Sequence, residues 1–224
     1  MPTPAAKKST RSATKSTTRS QSQSRGTNRP ARRDGVAVLK ADHRAVEQLF
    51  RQYEKAGVRA HRQKRELADR MIVALSTHAA IEEQILYPWV RDNIQDADGP
   101  VLEALEEHHV VKWLLSELES LDVMDERFDA KVTVLTESVR HHVREEEAEM
   151  FVDLRTVATR AELLTLGDEL TAAKRHAPTR PHPHSADEPP ANLIAGPMNA
   201  ALDHARAVGK EVVGALGSLG PSSE

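Results

Sequence analysis

Four stretches of this chain carry apolar residues at helical spacing, and in each of them a histidine stands inside the apolar stripe. The first stretch begins near Asp34, has Val36, Leu39, Val46, Phe50 and Tyr53 on one face, and ends near Gly57. The second runs from about His61 to Asn93 through Leu67, Met71, Leu75, Ile81, Ile85 and Trp89, and Pro88 should kink it or end its regular part. The third follows Asp98-Gly99-Pro100, where Asp98 suits a cap and Pro100 the first turn, and its stripe is Val101, Leu105, Val111, Leu115 and Leu118. The fourth, from about Asp125 to Arg155, presents Phe128, Val132, Leu135, Val139 and Met150. A capping box at Thr159 and Glu162 predicts a short fifth helix ending near Ala173. Amphipathic helices joined by short loops bury their stripes against one another, so the predicted fold is an all-α, up-down-up-down four-helix bundle. The polar insertions recur every 30–35 residues, but the signatures of helical repeat arrays are absent.

The insertions themselves carry the chemistry. His43 lies four residues after Leu39 and three before Val46, and His78 lies three after Leu75 with Glu82 four further on. His108 falls between Leu105 and Val111, while His142 follows Val139 by three and is followed by Glu146 after four. Residues four apart are neighbours on a helix surface, so each His-x-x-x-Glu pair can converge on one centre. A lone stripe histidine is commonly a hydrogen-bonded core residue, and a buried unpaired glutamate is costly. Four histidines and two glutamates aimed at one interior, with no Lys or Arg evident as partner, are a desolvation burden that two divalent cations relieve. Neutral imidazoles bind such ions and the two carboxylates can bridge them.

Neighbouring residues sort by phase. His109 and His141 sit about 100° around the helix from the stripe. His141 with Glu145 repeats the four-residue spacing, so two registers are open on the fourth helix, and the apolar stripe favours His142 with Glu146. Glu47, four after His43, is an extra ligand, an acceptor for a ligating imidazole, or a solvated charge. Glu83 and Glu147 are expected beside the site or at the surface. Trp89, Trp113, Tyr87 and Phe50 are expected to pack, with Tyr87 near the pocket.

Composition narrows the chemistry further. The 224 residues include 11 His and no Cys, which excludes disulfides, thiolate zinc, cysteine-held iron–sulfur clusters and thiol catalysis. The net charge of -3 is uneven: residues 1–33 hold nine Lys or Arg and no acid, leaving 22 basic against 34 acidic residues beyond them. That first segment is too polar to fold alone and is expected to be a disordered basic tail, either merely solubilising or in weak contact with nucleic acid. Residues 34–175 form the bundle and fifth helix, 176–195 a Pro-rich linker, and 196–224 a short amphipathic helix and tail. That last helix carries Met198, Ala201, Leu202, Ala205, Val208, Val212 and Leu216 at helical spacing and is expected to dock on the bundle. No apolar run approaches the roughly 18 residues of a membrane span and the N-terminus lacks a signal-peptide core, so the expected location is cytoplasmic, without membrane contact.

Asp42-His43, His78-Ala-Ala-Ile-Glu82-Glu-Gln-Ile-Leu-Tyr-Pro88, Glu107-His108 and His142-Val-Arg-Glu-Glu146 together resemble the hemerythrin-like, HHE cation-binding domain family. The resemblance covers roughly Asp34 to Arg155. It implies a non-haem centre of two iron ions, with His43, His78, His108 and His142 as terminal ligands and Glu82 and Glu146 as bridges. Ferritin-like bundles use Glu-x-x-His, the reverse order. The family's oxygen carriers have a second histidine on the third helix, where this chain has Lys112, and an aspartate where it has Glu146. The resemblance therefore implies a more open, carboxylate-rich site of the H-HxxxE-H-HxxxE type. Its ligand would be a small oxidant (peroxide, O2 or NO), with catalase-like turnover as the enzymatic expectation and iron or oxygen sensing or storage as the alternative. Zinc or manganese suits the same ligand set. A metal-free helical adaptor with a nucleic-acid-binding tail is the third reading, and the sequence specifies no partner protein.

Overall fold

Asp34 accepts a hydrogen bond from the Ala37 amide at 2.8 Å and so opens the first helix, α1 (Gly35–Glu54). The computed structural model describes residues 32–185, 192 and 195–206; most of the basic tail and residues Val208, Val212 and Leu216 of the C-terminal stripe lie outside them. Among the described residues the secondary structure is helical throughout. The second stretch is α2 (His61–Ile81), a π-helical turn (Glu82–Leu86) and α3 (Tyr87–Asn93). The third is α4 (Asp98–Ser120), and the fourth is α5 (Phe128–Glu145), a second π turn (Glu146–Met150) and α6 (Phe151–Val157). The Thr159–Glu162 capping box opens α7 (Arg160–Ala173), which runs into a 3-10 turn (Lys174–His176).

Two starts differ from the sequence reading. Asp98 does not cap α4; it lies in the first turn, where its charge suits the helix dipole, and accepts from Arg91 Nε at 2.9 Å. The fourth stretch begins at Phe128, because Asp125 turns its carboxylate onto the Arg127 amide and holds the preceding residues in a turn.

The four long helices pack α1 on α2, α2 on α4 and α4 on α5, with α7 laid across α1. That crossing depends on Gly167, where a Cβ would run into the Arg33 carbonyl oxygen. α1 and α5 are joined loosely across a groove of about 630 Å3, which Arg140 spans by pairing with Glu47 and Glu54. One apolar cluster gathers Phe50, Met71, Leu115, Phe128 and Leu135; the other gathers Leu39, Ile81, Leu86, Phe151 and Leu166. Along every long helix the stripe histidine falls between the two, so the core is interrupted by one polar layer.

The C-terminal segment attaches differently from the expectation. In the helix over 195–206, Met198 and Leu202 are exposed while Asp203 is buried. Asp203 accepts from the Thr179 and Arg180 amides at 2.9 and 3.0 Å, and Asn192 Nδ2 donates to the Glu83 carbonyl at 3.2 Å. Among the described residues, polar groups fasten this segment: Asp203 to the chain at Thr179 and Arg180, and Asn192 to the bundle at Glu83.

Candidate metal centre

The polar layer brings together all six residues singled out from the stripes. His43, His78, Glu82 and Glu146 form one cluster and Glu82, His108 and His142 another, within each of which one nitrogen or oxygen per residue lies within 4.8 Å of the others. All six are buried. His43 Nε2 and His78 Nε2 stand 3.1 Å apart, and His108 Nε2 and His142 Nε2 stand 3.2 Å apart. His78 Nε2 lies 3.1 Å from Glu82 Oε1, and His43 Nε2 lies 3.2 Å from Glu146 Oε2.

Both glutamates occupy the first position of a π turn. The Tyr87 amide reaches back five residues to the Glu82 carbonyl, and the Phe151 amide does the same to Glu146. Each wide turn slips the helix register by one residue, so the chain beyond the glutamate keeps its apolar face inward. Pro88 accounts for the first turn, since it supplies no N–H to a carbonyl four residues back. No proline stands in the second, and its sequence Glu-Glu-Ala-Glu-Met gives no local warning.

The outward nitrogen of each imidazole faces a carboxylate on a different helix. His43 Nδ1 is 2.8 Å from Glu147, His108 Nδ1 is 3.0 Å from Glu83, and His142 Nδ1 is 2.8 Å from Glu107. His78 Nδ1 faces Asp42 at a longer 3.5 Å. Each acid adjoins a cluster residue on its own helix but serves the histidine of the next, so the contacts run α1 to α2 to α4 to α5 and back to α1 as a closed ring. With Nδ1–H donated outward, every neutral ring turns an Nε2 lone pair inward. Four such lone pairs and two carboxylates then meet, and all four oxygens of Glu82 and Glu146 are buried without a hydrogen-bond partner. Facing lone pairs at these distances repel; cations between them turn every contact favourable. The donor set therefore fits metal ions on its own chemistry.

The two carboxylates and the four rings are not held alike. Burial, and then the neighbouring Glu146, pushes the Glu82 carboxyl well above its ordinary range. Burial also acts upward on Glu146, but the His43 contact, and the charge that His142, His43 and His78 carry when protonated, hold it down at about 2. Burial lowers His78, and lowers His108 strongly, which keeps both rings neutral. At His142 burial is outweighed by the Glu107 hydrogen bond and the charge of Glu146, so its pKa is raised.

Several neighbours take other places. Glu47 pairs with Arg51 and Arg140 and belongs to neither cluster. His109 accepts from Trp113 Nε1 at 3.0 Å on the outer side of α4, where Trp113 is partly exposed and packs edge-on against the His184 ring rather than in the core. Phe50 is core, and Tyr87 is buried with its hydroxyl 3.2 Å from His108 Nε2. Lys112 corrects the expectation that no buried base stands near: it is buried and donates to Glu83 at 2.8 Å. It meets the acid behind His108. Asp42, Glu83, Glu107 and Glu147 were not separable as imidazole holders from the sequence; their one signal is adjacency to a cluster residue.

Comparison with known proteins follows the same layer. The family model for the hemerythrin HHE cation-binding domain matches residues 34–154. An uncharacterised hemerythrin-like protein of Schizosaccharomyces pombe is 27% identical over 133 residues, 59% of this chain and 66% of that protein. A DNA nickase of Nostoc sp. is 28% identical over 137 residues, 61% of this chain and 38% of the nickase. The chain thus spans less than two thirds of either relative. The crystal structure of a hemerythrin HHE cation-binding domain-containing protein from Mycobacterium kansasii aligns with a TM-score of 0.56 at 26% identity, covering 63% of this chain and 85% of that one.

Proposed function

The chain belongs to the hemerythrin HHE cation-binding family, and from that premise we propose a non-haem centre of two iron ions that reacts with a small oxidant. His43, His78, Glu82 and Glu146 would hold one ion and Glu82, His108 and His142 the other, with Glu146 also 4.0 Å from His142 Nε2. The observation that carries the reading is the convergence of four imidazole lone pairs and four unpartnered carboxylate oxygens. When bound, the irons supply Lewis acidity and redox equivalents.

The chain's own groups prepare that chemistry. Glu147, Glu83 and Glu107 fix the tautomer and aim of three rings, and Asp42 stands behind the fourth. The half at His108 and His142 has fewer donors, because the position one turn beyond His108 is Lys112, turned onto Glu83. A cavity of about 20 Å3 touches all four rings and is walled by Val46, Leu75, Ala79, Val111, Val139 and Val143. Such a space is about large enough for one water molecule. Burial, then the charges of Glu82 and Glu146, pushes the Tyr87 hydroxyl well above its ordinary pKa, so it stays an O–H donor facing the less filled half.

Protein produced with iron supplied is expected to carry two irons per chain and near-ultraviolet bands that change on adding peroxide. Absence of metal, with a melting temperature indifferent to added iron, would sink the reading. A sensor is the second reading, favoured by the contact of Asn192 with the Glu83 carbonyl, which ties the C-terminal segment to the turn that starts at Glu82. Peroxide turnover by the iron-loaded protein favours the enzyme; binding without turnover, with metal-dependent protection of the C-terminal segment from protease, favours the sensor.

A further inference from the structure

Among the described residues, a groove and a cavity on different sides of the bundle reach the polar layer, and their linings differ in charge. The groove between α1 and α5 reaches His43 and is rimmed by Arg44, Arg140 and Arg144 with Glu47 and Glu147. Between α4 and α5 a cavity of about 130 Å3 is lined by Glu103, Glu107, Glu145 and Glu149, and His142 and Glu146 lie on its inner side. Its lining holds no Lys or Arg. Glu146, only 4% exposed and with neither oxygen hydrogen-bonded, faces into this cavity from the centre.

At the outer rim, Glu107, His141 and Glu145 form a third cluster with one ligating atom each within 4.8 Å of the others. His141 Nε2 lies 3.4 Å from Glu107 Oε1 and 3.3 Å from Glu145 Oε1, and the His141 side chain is 52% exposed. The other oxygen of Glu107 accepts from His142 Nδ1 at 2.8 Å. One carboxylate therefore touches both the outer cluster and an inner ring. One imidazole and two carboxylates open to water bind a divalent transition-metal ion weakly and release it readily, which suits a way-station.

We propose that Glu107, His141 and Glu145 form a third cation site, which captures a divalent transition-metal ion from solution and passes it through the acidic cavity to Glu146 and His142. The proposal rests on the inner centre proposed above for its destination. The four acids concentrate cations at the opening, and the arginine-rimmed groove disfavours the same ions on the other side. The transfer breaks no covalent bond: the ion exchanges water and the outer carboxylates for the inner ligands.

The test loads full-length, chelator-stripped protein with cobalt(II) alone, following its ligand-field bands by stopped flow and its stoichiometry by titration. Wild type is expected to take two tight equivalents and one weak one, with a loading rate that falls as salt rises. The double variant His141→Ala, Glu145→Gln is expected to keep the two tight equivalents, lose the weak one and load about tenfold more slowly. A control variant, Glu66→Gln with Asp69→Asn on exposed α2 positions, is expected to load at the wild-type rate. Wild-type loading by the first variant, or equal slowing by both, overturns the proposal, since a diffuse field would then account for the rate. A wild type that binds only the weak equivalent, still lost with His141 and Glu145, counts against the inner centre and leaves the outer site standing.

Discussion

The two halves of the polar layer are built from the same parts and finished differently. The half at His43 and His78 draws Glu82 from α2's end and Glu146 from across the bundle, and the acids behind its rings are held by Lys40 and Lys174. The half at His108 and His142 has one donor fewer, a tyrosine hydroxyl at its ring and a buried Lys112 behind it. The first half also opens toward the arginine-rimmed groove and the second toward the acidic cavity. Near-symmetry in sequence, two His-x-x-x-Glu pairs each ending in a π turn, thus yields one filled and one less filled position. In the proposed centre, the second is the half expected to take a small ligand.

Removing what the halves share should have the largest effect. Glu82→Ala is expected to lose metal from both halves while His78→Ala empties the first and His142→Ala the second, as read by metal analysis and circular dichroism of each variant. With free metal about a thousandfold above its Kd, each emptied half forfeits about 4 kcal/mol of linked stability, so the double loss forfeits about 8 kcal/mol. Equal losses in all three variants would show that the halves do not fill independently.

Next in size is a reversal of sign. Glu82→Gln keeps the shape and removes a buried acid whose ionised form burial disfavours. The metal-free variant is expected to melt no lower than the metal-free wild type, and to gain nothing when iron is added. A lower melting temperature without metal would mean that Glu82 is satisfied by the protein alone.

Smaller effects separate the acids behind the rings. Lys112→Met leaves Glu83 buried without its ammonium and is expected to weaken metal at the second half about 10–100-fold, with little change at the first. Glu107→Gln, which alters a 2.8 Å contact, should weaken metal binding more than Asp42→Asn, which alters one of 3.5 Å. Cobalt titrations that distinguish the two positions read both. Least of all, Tyr87→Phe should leave the stoichiometry at two and shift azide affinity at the second half by a few fold, because it removes one donor and no ligand.

How much was legible follows the range of the forces involved. Pro88 announces the first π turn, whereas the second answers to the fit of Phe151 and Leu154 into the core beyond Glu146 and has no local signature. The register of the fourth helix was settled by its stripe, which buries His142 and leaves His141 half exposed. Lys112 looked like a lost ligand; only its reach across to Glu83 gives it a place. In the described part of the C-terminal helix the buried positions are Gly196 and Asp203, and Met198 and Leu202 are exposed, which its apolar spacing does not announce.

By itself the sequence determined the all-helical architecture and the six residues that converge, because helical period and burial tie each side chain to a face within its own segment. Which acid holds which histidine was decided by the tertiary structure alone. Asp42, Glu83, Glu107 and Glu147 each sit beside one cluster residue in the chain and serve another from the next helix. Such partnerships depend on how helices are rotated and stacked against one another, a relation between segments that no periodicity within one segment encodes.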